Sequence, residues 1–141
     1  MFKTNQQVNA PMMYGAKAYA QVGLETGINS ASPHGLIVML YDGAIEAIRK
    51  AKIYLEMGDI EMKTKSVDKG LRIIKDGLTA SLDVTAGGAL AQQLLALYDY
   101  IGKELILANA QNSAERMDTC IGLLDDLRSA WLEIGQSTAN Q

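Results

Sequence analysis

One imidazole, one thiol and sixteen carboxylates are what this 141-residue chain has for chemistry. The imidazole, His34, stands between Pro33 and Gly35. A bundle that relays phosphoryl groups uses one exposed histidine, set in the middle of a helix. His34 falls at a helix start, which favours a packing role. Cys120 has no second cysteine to pair with. A thiolate nucleophile needs a base, and the only imidazole lies far away in sequence, so Cys120 reads as a small core hydrophobe. Asp42, Glu46, Asp99 and Glu104 invite comparison with di-metal bundles. Those use Glu-x-x-His on two helices, and His34 does not follow any glutamate by three. Gly87-Gly88 lacks the GxxxxGK[ST] spacing of a phosphate loop and reads as a helix–helix turn. The residues thus predict no catalytic group, no metal and no cofactor. They point to a protein that works by surface contact.

Composition narrows the partners. The apolar fraction is 48% and mean hydropathy +0.01, enough for one buried core without disulfides. Net charge is −3 and pI about 5.1, so no global positive field attracts nucleic acid or anionic lipid. The cations Lys63, Lys65, Lys69, Arg72 and Lys75 are interrupted by Asp68 and Asp76 and lack interleaved aromatics, so nucleic acid is not an expected partner. A single cysteine fits a reducing compartment. No stretch is apolar enough for stable membrane insertion, and MFKTNQQVNAP has no apolar core of a secretory signal. The expected location is the cytoplasm.

Those surfaces must be carried by helices. Proline is absent from 34 to 141, which permits long uninterrupted ones. Apolar residues recur three and four apart over 33–57, 60–84, 88–109 and 114–134, one helix face each. Ser32-Pro33 is a strong start signal, Gly58 a stop, and Asp59 and Ser113 are further N-caps. Asn109 suits a left-handed C-terminal position. The prediction is an all-α, antiparallel up-and-down four-helix bundle over 32–134, with short links. Residues 1–31 form a mobile segment with a short helix over 12–25, which either docks or stays mobile. Residues 135–141 are expected to fray.

The third helix carries more than one core stripe needs. Leu94, Leu95, Leu97, Leu105, Ile106 and Leu107 fall on more than one side, which implies a fifth docked element or a partner groove. Tyrosines such as Tyr41, Tyr98 and Tyr100 suit interfaces, where one end of the ring stays wet. A self-associating bundle, with a weak homodimer, is a further reading.

Several stretches in order resemble the FliS-type flagellar secretion chaperones. They are MYGAKAYAQV at 13–22, SASPHGLIVMLYDGAI at 30–45, GDI at 58–60, SLD at 81–83, GG at 87–88, LYDY at 97–100, AN at 108–109 and AW at 130–131. Family members usually begin at the Met-Tyr pair; here Met13-Tyr14 follows twelve further residues. The resemblance implies a cytoplasmic chaperone that binds the disordered C-terminal segment of flagellin. It also implies that the chaperone blocks premature polymerisation and delivers its client to the flagellar export gate protein. By the same resemblance Tyr14 and Tyr19 serve gate delivery or cover the groove, and Leu97, Tyr98, Tyr100, Ala108 and Asn109 face flagellin. With the surplus apolar residues, the candidate partner-binding set is Tyr14, Tyr19, Tyr41, Leu94, Leu97, Tyr98, Tyr100, Ile101, Leu105, Ala108 and Asn109.

Overall fold

A computed structural model describes residues 32–139. The expected mobile segment 1–31, its helix over 12–25, and Tyr14 and Tyr19 lie outside the described residues. Four α-helices make up the rest: α1 (Pro33–Met57), α2 (Ile60–Arg72), α3 (Gly88–Gln111) and α4 (Ala114–Ala139). No strand occurs among the described residues.

Local capping rules place most helix ends. The Ser32 hydroxyl accepts from the Gly35 amide at 3.1 Å, with Pro33 in the first turn. Gly58 closes α1 at φ 78°, a left-handed conformation that glycine adopts without Cβ strain. The Asp59 carboxylate then accepts from the Met62 amide at 3.1 Å to open α2, and Ser113 Oγ accepts from the Arg116 amide at 3.1 Å to open α4.

Side-chain contacts give the antiparallel register directly. Gly70 lies against Ile48 and Gly77 against Leu40, so α2 descends as α1 rises. Lys63 Nζ donates to the Asn109 carbonyl at 3.0 Å, and Gly102 faces Leu71. Glu104 pairs with Arg116 at 2.9 Å. Two ion pairs, Lys52–Asp118 and Arg128–Asp42, strap α4 back onto α1. The α1 helix neighbours α2 and α4, and α3 stands diagonally across the core from it. That core is built from Leu40, Tyr41, Ile48, Val67, Tyr98, Ile101, Leu105, Met117 and Leu124, among others.

Three expectations are corrected. The predicted helix over 60–84 breaks at Arg72 into a π-helical segment, Ile73–Leu78, and a 3-10 turn, Thr79–Ser81. Ile73, Ile74, Gly77 and Leu78 are all buried against the core. A Cβ on Gly77 would lie 2.9 Å from Leu40 Cδ2, so glycine permits the close approach. Secondly, the left-handed cap of α3 is Asn112, at φ 50°, and not Asn109, whose carbonyl is held by Lys63. Thirdly, α4 continues past 134 to Ala139. Gly135 passes directly beneath His34, where a Cβ would sit 2.5 Å from Nε2.

Candidate functional site

The α3 helix is where apolar surface remains uncovered. Its inward stripe is Ala91, Tyr98, Ile101, Leu105 and Ala108, all buried. Gly102 faces α2 through Leu71, and Glu104 faces α4 through Arg116. These two contacts fix the flanks. Leu95 and Ile106 share the side of Gly102 at i, i+7 and i+11, so they border α2. Leu97, Tyr100 and Leu107 share the side of Glu104 at helical spacing, so they border α4. Ile106 is 54% exposed, Tyr100 51% and Leu107 43%. Both flanks of one helix therefore present large apolar groups to solvent. Large exposed apolar groups on both sides of one helix mark a surface that a partner can cover.

A groove of about 510 Å³ opens at one end of the same helix. The first turn of α1, the connection from Ser81 to Gly87 and the start of α3 form its walls, with Trp131 of α4. Its apolar lining includes Ile37, Leu82, Leu90, Leu94, Tyr98 and Trp131. The connection is held by the Asp83 carboxylate, which accepts from the Thr85 and Ala86 amides at 3.2 and 3.0 Å. A Cβ on Gly87 would meet that of Ala91 at 2.6 Å, so glycine lets the turn close on α3.

The structure separates the candidate residues into three groups. Tyr41, Tyr98, Ile101, Leu105 and Ala108, expected as partner contacts, are buried within the bundle, with Tyr98 at the floor of the end groove. Their spacing marks the core stripe, and the bundle itself covers them. The Tyr41 and Tyr98 hydroxyls meet at 2.5 Å inside the core. Asn109 is likewise a tie between helices: its carbonyl takes Lys63 Nζ, and its side-chain oxygen accepts from Thr64 Oγ1 at 3.4 Å. Leu94 and Leu97 are half-buried and Tyr100 is exposed, so these three remain available to a partner. Exposed Leu90, Leu95, Ile106 and Leu107 and groove residues Leu82 and Trp131 complete the surface. The off-stripe position of Leu95, Ile106 and Leu107 was the signal for them. Leu82, Leu90 and Trp131 carried only a core signal.

The reactive side chains are otherwise engaged. His34 packs on Trp131, ring centroids 5.0 Å apart, and its Nε2 is buried against Gly135 without a hydrogen bond. That placement closes Nε2 to a phosphoryl group. Cys120 is buried and donates to the Ile101 carbonyl at 3.7 Å. Burial first, and the charge of Glu104 second, push its thiol up to about 12, so it is no thiolate nucleophile near neutral pH. Among the described residues, no group of three or more His, Cys, Asp or Glu is placed to hold a metal. No helix there is long and apolar enough to cross a membrane.

Comparison with known proteins identifies the family. A family model described as flagellar protein FliS matches residues 15–138. The chain is 43% identical over 127 residues to the flagellar secretion chaperone FliS of Salmonella typhimurium, covering 90% of this chain and 94% of the relative. It is 36% identical to the protein of the same name from Escherichia coli, over 86% and 91% of the two chains. With that of Bacillus subtilis it shares 30%, over 80% and 83%. The chain belongs to the FliS family of flagellar secretion chaperones.

Proposed function

We propose that this protein binds the C-terminal segment of flagellin in the cytoplasm, keeps it from polymerising, and hands it to the flagellar export gate protein. The observation that carries the reading is the apolar surface on both flanks of α3, Leu95 and Ile106 on one side and Tyr100 and Leu107 on the other. Amphipathic helices laid in the two flanking grooves would bury these groups, with Leu94, Leu97 and Tyr100 as their neighbours. A segment that gains order only when bound spends much of its contact energy on lost chain entropy, so a large apolar surface is required. Tyr14 and Tyr19 are assigned to gate contact or to covering the groove. The buried stripe of Ile101 and Leu105 positions α3.

Calorimetric titration with the C-terminal segment of flagellin tests the reading. The expected result is saturable binding with a negative heat-capacity change, the mark of apolar burial. No heat at any temperature, together with no shift on size-exclusion chromatography, would refute it. Replacing Tyr14 or Tyr19 by alanine is expected to lower export while helical circular dichroism is kept. Loss of that dichroism would instead make them core residues.

A further inference from the structure

Lys63 and Glu104 are the two buried charged side chains among the described residues, 2% and 8% exposed. Both act on the last two turns of α3, one from each side. From α2, Lys63 Nζ donates to the Asn109 carbonyl at 3.0 Å, and beside it Thr64 Oγ1 donates to Asn109 Oδ1 at 3.4 Å. On the α4 side, Arg116 Nη1 donates to both Glu104 oxygens at 2.9 and 3.0 Å, and Arg116 Nε donates to Gln111 at 2.9 Å.

Stability alone does not account for these charges. A buried ion pair stabilises about as much as well-packed apolar residues of the same volume, or less. The Lys63 ammonium meets a helix-end carbonyl in place of a carboxylate. What α3 does require is a fixed roll about its own axis. Ile101 and Leu105 point inward, Leu95 and Ile106 stand toward α2, and Leu97 and Leu107 toward α4. The hydrophobic effect is non-directional, so it discriminates weakly among these three apolar faces. A roll of about 100°, the angle between successive residues, would seat a flank in the core and turn the inward stripe outward. Hydrogen bonds are directional and oppose it. Glu104 and Asn109 are five residues apart, about 140° around the helix, so a roll in either direction draws them from their partners.

We propose that Lys63 and the Glu104–Arg116 pair are positioning residues that fix the roll of α3 and keep Ile106 and Leu107 outward on their two flanks. The consequence for client binding rests on the function proposed above; the roll itself does not.

The triple variant Lys63→Met/Glu104→Leu/Arg116→Leu tests this, since it removes the charges and keeps apolar bulk. Its thermal melt is expected within about 5 °C of wild type, or above it. The roll is read by alkylation of Ala108→Cys, mapped by mass to separate it from Cys120. Position 108 is fully buried on the inward stripe, and a roll in either direction exposes it. Labelling there is expected to be slow in the otherwise wild-type chain and roughly tenfold faster or more in the folded triple variant. Calorimetric titration with the C-terminal segment of flagellin is expected to show binding weakened by roughly tenfold or more. The exchanged pair Glu104→Arg/Arg116→Glu, with Lys63 intact, is expected to keep both the slow labelling and the binding. A triple variant with slow labelling at 108 overturns the proposal, and so does one that melts more than about 5 °C below wild type, because the charges are then ordinary stabilising contacts. An exchanged pair that labels as fast as the triple variant also overturns it. Wild-type protein that fails to bind the segment refutes the client reading instead, and labelling still decides the roll.

Discussion

Leu105 and Leu107 stand two residues apart on α3, and truncating them should do opposite things. Leu105 is fully buried, with its Cδ2 against Gly70, whereas Leu107 is 43% exposed. Removing a buried leucine side chain costs about 2.7–5.0 kcal/mol, because lost transfer energy and an unfilled cavity add. At about 2.1 cal/mol/K per residue, residues 32–139 unfold with an entropy of about 0.23 kcal/mol/K. Leu105→Ala should therefore lower Tm by roughly 12 to 22 °C. Leu107→Ala leaves no internal cavity and should change stability by about 0.5 kcal/mol or less. In a client groove, however, its loss should weaken flagellin-segment binding by about 1 kcal/mol, or roughly fivefold. Thermal melts followed by circular dichroism, with calorimetric titration of each variant, read both quantities. If Leu107→Ala melts as early as Leu105→Ala, or Leu105→Ala melts within about 2 °C of wild type, the assignment of inner and outer faces is wrong.

Burial of Cys120 sets a pH dependence. Its folded pKa is raised from 9.0 to about 12, so the unfolded chain loses this proton first as pH rises. Its contribution is intact below about pH 9 and falls between about pH 9 and 12, by up to 1.36 kcal/mol per unit. Cys120→Ala should show a shallower loss of stability over that range in urea titrations, and an equal slope would contradict the burial. Alkylation of the wild-type thiol at pH 8 should be slow when folded and fast in denaturant; rapid labelling of the folded protein would contradict it. Gly58→Ala should destabilise by about 1–2 kcal/mol in chemical denaturation, because the C-cap holds φ 78°; an unchanged midpoint would show that the turn relaxes.

The helix ends were legible because their causes are local. Ser32, Pro33, Gly58, Asp59 and Ser113 act on amides within a few residues, and each does in the structure what its type predicts. The break at Arg72 was not legible, since the π-helical segment depends on Gly77 closing against Leu40 from another helix. Asn112 directly precedes the Ser113 cap and turns left-handed, while the Asn109 carbonyl takes Lys63 Nζ. The candidate site was legible as an excess and misplaced in detail. Tyr98, Ile101, Leu105 and Ala108 repeat at the spacing of a core stripe and are the core. The surface left for a partner is the remainder, Leu95, Tyr100, Ile106 and Leu107. Leu90 kept the core spacing yet stands 63% exposed, as part of the lining of the open end groove.

The most direct measurement is a calorimetric titration of the C-terminal flagellin segment into the double variant Ile106→Lys/Leu107→Lys. These two residues lie on opposite flanks of α3 and are both exposed, so the bundle should keep its wild-type melting curve. Binding is expected to fall by at least a hundredfold, since each flank then buries a charge in place of an apolar group. Wild-type affinity in a fully folded variant would contradict it.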